Sequence, residues 1–290
     1  MRRSPALFWP EVDAETSRVW TQRYLKFLGL AQAPPSLSAL EALIRAQVQT
    51  VLFENVTALL RRRRLPMGPL PPIDARALLA SWEEGRCGAV CFDVTETFGR
   101  LLKALGYRVH PVIGAVVFPG SHQALVVEIE GGRYLVDAGC GAPIFEPIPL
   151  DRVTELRRAG LAYRFRPADS EKGWVQERWI NEEWTPFCRY ALEPAGPAER
   201  DLGYQRHNTV GESWMLGTVT LIRCEEERVL VLRDGVFSEF KASGKSTEPI
   251  AGPSRYRELV TQVLQLPGLP IEEAVEAWRA LVGARGGLRD

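Results

Sequence analysis

Histidine is scarce in this chain: His110, His122 and His207 are the three among 290 residues. That leaves little from which to build a metal centre. Cys87 and Cys91 stand four apart, but no second ligand pair follows at zinc-site spacing, so no metal is expected. Net charge of one sign is also missing. Formal charge is zero and the pI is about 6.9, which argues against the long basic surface of a nucleic-acid binder. No apolar run is long enough to cross a membrane. Met1-Arg2-Arg3 is basic, but Pro5, Pro10, Glu11 and Asp13 interrupt any leader-like apolar stretch. The five cysteines are an odd number in a large chain, which speaks against a disulfide framework. Free thiols in a reducing cytoplasm are the expectation. Internal repeats and low-complexity segments are lacking too.

What is present is enough apolar material for a sizeable core, 46% of residues. At roughly 100–200 residues per domain, two or three units are expected. The first third reads as helical. Val19, Trp20, Tyr24, Phe27 and Leu28 fall at helical spacing before Gly29. Ser38-Ala39-Leu40-Glu41 has the form of a capping box, with an apolar stripe behind it from Leu40 to Leu52. A third, short helix is expected from Asp74 to Trp82. The run Arg61-Arg62-Arg63-Arg64 reads as a solvated loop edge ahead of Pro66 and Gly68; nothing supports a phosphate-binding role for it.

Cys91 to Leu105 forms another helical pattern, closed by Gly106. The chain then turns β-like. Val109–Val117 and Ala124–Ile129 are apolar runs, Gly131-Gly132 is a hairpin signal, and Tyr134–Asp137 reads as the returning strand. Trp174–Trp184, Met215–Arg223, Arg228–Leu232 and Val236–Phe240 also read as strands, with Asp234-Gly235 as a turn. Ser254 is placed to cap a helix running to about Leu266, and Ile271–Val282 is a final helix. Helices, then strands, then a mixed unit is not the alternation of a doubly wound sheet.

Three residues carry chemistry. Cys91 follows a loop of small residues and opens an amphipathic helix. A thiol there feels the positive end of the helix dipole, which favours the nucleophilic thiolate. Position alone leaves a second reading open, a buried cysteine acting as a small hydrophobe. A nucleophile needs a base, and His122 enters an apolar strand in Gly120-Ser121-His122-Gln123. The base needs an orienter, and Asp137 sits where the strand would otherwise stay apolar. A turn at Gly131-Gly132 sets Glu130 opposite Arg133 and Val126 opposite Asp137. His122 and Asp137 then share a face but stand about 13 Å apart at about 3.3 Å per residue. Contact requires a bulge, a bend or another register.

The order Cys, His, Asp and the phrases around them resemble the arylamine N-acetyltransferase family. Leu52-Phe-Glu-Asn55, the glycine loop into Cys91-Phe92, Ser121-His122 and Tyr134-Leu-Val-Asp-Ala-Gly139 followed by Gly141 are the similar stretches. The likeness covers about residues 15–150 and weakens beyond Leu150. It implies an α+β fold in three parts: a helical bundle over 1–85, a β-barrel domain over 86–205 carrying the triad, and an α/β lid over 206–290, built on a papain-like cysteine-enzyme core. It implies ping-pong chemistry, with acetyl-CoA acylating Cys91 and an aromatic amine or hydrazine taking the acetyl group. Cys91, His122 and Asp137 take the catalytic positions, Gly139, Cys140 and Gly141 the CoA end, and Ser121 a place beside the substrate. Partners are the CoA thioester and the small amine, without nucleic acid or membrane.

The departures lie close to the nucleophile. The family pattern before the cysteine is Arg-Gly-Gly-x-Cys, whereas this chain has Cys87-Gly88-Ala89-Val90-Cys91, with the nearest arginine at Arg86. The acid two places after the cysteine is Asp93 rather than Glu, and Cys140 stands between the loop glycines. Two competing readings remain. One is a cysteine hydrolase or amide synthase that does not use CoA; the other is a non-catalytic binding protein on the same fold.

Overall fold

A computed structural model describes residues 14–169 and 172–286. The N-terminal segment 1–13, read above for the lack of a leader, lies outside the described residues. The chain starts with two helices, α1 (Ala14–Phe27) and α2 (Leu37–Thr50). The cap of α2 is Ser36, whose side chain accepts from Ala39 N at 3.2 Å, so the capping box expected at Ser38 lies inside the helix instead. Pro34-Pro35 cannot enter a helix interior, and the serine directly after them takes the cap.

A two-residue strand, β1 (Phe53–Glu54), leads into α3 (Val56–Arg64) and α4 (Ala75–Glu83), the latter capped by Asp74. The arginine run is therefore the last turn of a helix and not a loop edge. Arg62 is buried and donates to the carbonyls of Leu65 (2.9 Å) and Gly68 (3.0 Å). Arg61 donates to the Tyr204 hydroxyl at 2.7 Å. Cationic side chains beside the orphan carbonyls of a helix C-terminus are favourable, which is why four arginines can end a helix here.

Helix α5 (Cys91–Ala104) buries Val94, Phe98, Leu101 and Leu102 and ends at Gly106, φ +93. Then follows an antiparallel run: β2 (Arg108–Ala115), β3 (Pro119–Ile129), β4 (Gly132–Val136), β5 (Ile148–Pro149), β6 (Thr154–Arg158), β7 (Leu161–Pro167), β8 (Trp174–Ile180) and β9 (Glu183–Tyr190). These eight make one barrel-like sheet in the order β5-β4-β3-β2-β9-β8-β7-β6. The stretch expected as one strand from Trp174 to Trp184 is a hairpin, turned at Asn181 and Glu182, both with positive φ. Strand β3 is buried on both faces. Leu125 and Val127 enter the core beneath the helices, while Ala124 and Val126 enter the core inside the sheet. That explains an uninterrupted apolar run where a half-exposed strand would alternate.

Helix α6 (Pro197–His207) crosses back against β3. A second sheet uses β10 (Thr220–Cys224), β11 (Arg228–Arg233), β12 (Val236–Lys241) and β13 (Gly244–Pro249), and its outer strand is β1 from the first quarter of the chain. Met215–Gly217 is a 3₁₀ turn and not the start of a strand. Helix α7 (Gly252–Glu258) begins at Gly252-Pro253, not at Ser254, and passes through a π-turn over Leu259–Val263 before α8 (Ile271–Gly286). Pro253 fits the first turn of a helix, which sets that start.

Candidate active site

Cys91 is the first residue of α5. The preceding Val90 is extended and offers no side-chain cap, so the thiol sits among the free amides of the helix start. The small-residue loop before it lies against the segment around β1. Ala89 N donates to Leu52 O (3.0 Å), and Glu54 N donates to Ala89 O (3.1 Å). A Cβ on Gly88 would meet Leu52 O at 2.1 Å, so only glycine fits. Asn55, fully buried, donates through Nδ2 to Thr218 O (2.7 Å) and accepts from Thr220 N (2.8 Å). It clasps the C-terminal sheet to the loop that presents the cysteine.

The hairpin that joins His122 to Asp137 turns at Glu130-Gly131, with φ +50 and +77, and not at the two glycines. Val126 therefore faces Leu135, and Leu125 faces Val136. This register slides Asp137 two residues toward His122, about 7 Å of the gap by strand rise. The parity argument survives the change, and both side chains point into the sheet. His122 Nε2 meets Asp137 Oδ2 at 2.6 Å. Cys91, His122 and Asp137 are 3%, 4% and 3% exposed.

Cys91 and His122 line the same cavity, and the sulfur acts on the charge of the imidazole. Burial works to discharge the imidazole, but Asp137 and Cys91 outweigh it, and the ring is held protonated well above the ordinary histidine range. Asp137 is held in turn by Gly139 N on Oδ1 (3.3 Å) and by the Tyr190 hydroxyl on Oδ2 (2.7 Å). The same hydroxyl lies 2.7 Å from Gln176 Oε1. Sequence gave no sign of Tyr190, which comes 53 residues after the aspartate it serves. Gly114 faces His122 across the β2–β3 pair; a Cβ there would come 2.9 Å from Cys188 Sγ and 3.1 Å from His122 Cβ.

Ser121 stands on the cavity wall, but its oxygen accepts from Val116 N (2.9 Å), Val117 N (3.1 Å) and Phe118 N (3.4 Å). It holds the β2–β3 turn, and its hydroxyl proton is what it can still offer a ligand. Gly139 lies against Cys91: a Cβ on it would be 2.9 Å from Cys91 Cα. Cys140 is a buried thiol, pushed well above the usual range by burial and by Asp137. Cys87 is likewise neutral, pushed up to about 12 by burial and by Glu54 and Asp93. Arg86 is exposed and pairs with Glu84 at 2.7 Å, so no arginine has moved into the place Cys87 holds. Glu54 instead caps α3, accepting from Thr57 N (2.9 Å) and Thr57 Oγ1 (2.6 Å), and burial raises its pKa. Asp93 is raised to about 7 by burial, opposed by Arg61.

Cys91, His122 and Gly139–Gly141 open on one cavity of about 890 Å³. Its far wall comes from β8 and the second sheet, including Arg178, Arg233 and Lys245. Asp234 is the acid on that wall, and its carboxylate is taken by Thr218 Oγ1 and Val219 N, each at 2.8 Å. A volume of this size holds a drug-sized ligand. Among the described residues no cluster of side chains suited to a metal ion is found.

Residues 36–266 match the family profile described as N-acetyltransferase. The chain is 30% identical over 194 residues to the arylamine N-acetyltransferase of Mycolicibacterium smegmatis, covering 62% of this chain and 67% of that protein. It spans under two thirds of the length of the related Escherichia coli and Salmonella typhimurium proteins. Its fold is similar to the structure of the arylamine N-acetyltransferase from Mycobacterium abscessus, with a TM-score of 0.79 at 20% identity over 94% of this chain and 99% of that one. It is similar also to the Mycobacterium marinum arylamine N-acetyltransferase solved in complex with CoA, TM-score 0.76 at 20% identity, covering 90% and 98%.

Proposed function

The chain belongs to the arylamine N-acetyltransferase family of acyltransferases, and on that premise we propose that it moves an acetyl group from acetyl-CoA through a Cys91 thioester to an arylamine or hydrazine. The observation that carries this reading is the 2.6 Å contact of His122 with Asp137 beside a thiol that opens on a large cavity. The Cys91 thiolate attacks the acetyl carbonyl, and the leaving CoA sulfur takes the proton from the His122 imidazolium. The amine then attacks the thioester and returns a proton to His122, releasing the amide and restoring the thiolate. Asp137 keeps the imidazole oriented and its charged form stable through both steps. The Gly139–Gly141 loop lets the acyl end approach closely, and the net basic wall suits the phosphates of CoA.

Within this reading residues 1–85, 86–205 and 206–290 act as bundle, triad-bearing barrel and lid around a papain-like core, with no metal in the chemistry. The five free, buried thiols fit a reducing cytoplasm. No helix among the described residues is long and apolar enough to cross a membrane.

Incubation with acetyl-CoA followed by intact-mass measurement tests the proposal. A single acetyl adduct that transfers to an added arylamine and is absent from Cys91→Ala is the expected result. No adduct on the intact enzyme would sink it in favour of the CoA-independent hydrolase or synthase.

A further inference from the structure

His207 is the last residue of α6, fixed by Asn208 Nδ2 donating back to Tyr204 O at 2.8 Å. It is 2% exposed and lines the same cavity as Cys91 and His122. Neither ring nitrogen has a hydrogen-bond partner among the described residues. Phe92, the residue after the nucleophile, sets its ring against the imidazole with centroids 5.4 Å apart. Trp214 lines the cavity too, and its indole Nε1 is likewise buried and unpartnered. Buried polar groups are nearly always paired, so two unpaired ones on one cavity wall mark a place that a ligand completes.

Burial, and then the charge on His122, pushes the His207 pKa down to about 4. At neutral pH the ring is an uncharged imidazole, with one N–H donor and one acceptor nitrogen. The acceptor nitrogen can be satisfied by a donor alone. The acetyl thioester on Cys91 carries no N–H, and the amide N–H groups of CoA have left with the departing thiol; the incoming amine brings its own, and its aromatic body suits the apolar side chains of the cavity, Phe53, Val116 and Val117 among them.

We propose that His207 accepts a hydrogen bond from the N–H of the acceptor amine and thereby aims the nitrogen lone pair at the Cys91 thioester. This rests on the acyl-transfer reading above and assigns a residue to its second half. Orientation of a nucleophile is worth a large part of such a barrier, so the group that sets it controls the acceptor step and leaves acylation alone.

The two half-reactions separate the roles. In His207→Leu, the rate of acetyl-adduct formation from acetyl-CoA, read by intact mass, should stay within about twofold of wild type. Transfer from the adduct to aniline should fall about tenfold in kcat/KM, with kcat lowered as well as KM raised. His207→Gln, which keeps an acceptor oxygen, should recover most of the loss. Competition with N,N-dimethylaniline, which has no N–H, gives a readout on binding itself. Wild type should bind it more weakly than aniline by a wider ratio than His207→Leu does. Equal loss in both half-reactions, an unchanged acceptor step, or the same binding ratio in both proteins would overturn the assignment. If His207→Leu fails to fold, wild type against His207→Gln supplies the comparison: a Gln variant that keeps adduct formation but loses the acceptor step at least as fully as a missing hydrogen bond demands would also overturn it. Absence of the acetyl adduct in wild type would instead refute acyl transfer, so the two failures are told apart.

Discussion

Replacing Gly139 with alanine puts a methyl group where the backbone of Cys91 already lies. The new Cβ would sit 2.9 Å from Cys91 Cα and 3.1 Å from Cys91 O. Ordinary contact begins near 3.4 Å, so one side must give by about half an ångström. The backbone at Gly139 is not left-handed, so alanine adds contact and no dihedral strain. Both neighbours of the clash are constrained. Cys91 begins a buried helix, and Gly139 N donates to Asp137. Overpacking of this kind costs about 1–3 kcal/mol. At about 2–4 °C per kcal/mol that lowers the melting temperature by roughly 2–12 °C. A misplacement of about 1 Å at a reacting centre costs about a hundredfold in rate, so half of that displacement should cost about tenfold. Stopped acetylation of the enzyme, quenched and weighed by mass spectrometry, gives the acylation rate, and calorimetry gives the melting temperature. A Gly139→Ala enzyme that acylates and melts like wild type would refute the claim that this close approach positions the nucleophile.

Asp137→Asn should lower the acylation rate by about three orders of magnitude or more, since His122 loses the partner that orients and charges it; a loss under tenfold would contradict the triad. Tyr190→Phe removes one donor from a buried carboxylate and should cost about 1.5–3 kcal/mol in denaturant unfolding, with His122 still in contact and acylation reduced far less than in Asp137→Asn. His122, held protonated by its neighbours, contributes stability in full below the unfolded value of about 6.5 and loses it as pH rises through its raised folded value. The melting gap between wild type and His122→Gln should therefore be widest at acid pH and narrow as pH rises; the opposite trend would contradict the charged form. His207, pushed from 6.5 to about 4, acts the other way: the unfolded chain binds its proton first, and about 3 kcal/mol of stability should drain between those pH values, a slope that His207→Leu removes.

The candidate site was more legible in the sequence than its contacts. Cys91, His122 and Asp137 stand in distinctive local settings, and strand parity alone places the last two on one face. Their touching could not be derived, because Gly131-Gly132 is the stronger turn signal while the chain turns at Glu130-Gly131, with a non-glycine at φ +50. Tertiary packing overrode local preference there and moved the register by two residues. Helix α3 was hidden by its arginines, which look solvated until the carbonyls of Leu65 and Gly68 and the Tyr204 hydroxyl are seen to bind them. Helix α6 has only a weakly apolar face, and its one start signal is Pro197 after Gly196. With α6 unread, His207 could not be placed on the cavity. Tyr190 is a strand residue like any other until the barrel-like sheet curls it under Asp137.

The pairing of β1 with β10 has a consequence for how the protein is made. Phe53 finds Ile222 as its partner, 169 positions later in the chain (222 − 53). At synthesis rates of about 5–20 residues per second, β1 waits roughly 8–34 s for that partner, and the loop that presents Cys91, 129 positions before Thr220 (220 − 91), waits roughly 6–26 s for the segment that Asn55 clasps. Through that interval a nascent chain carries the nucleophile without its far wall, its apolar interior open to solvent and to chaperones. Stalled ribosomes carrying chains cut before Thr220 should show Cys91 alkylated readily, and those long enough to bring Arg233 clear of the ribosome should show it protected.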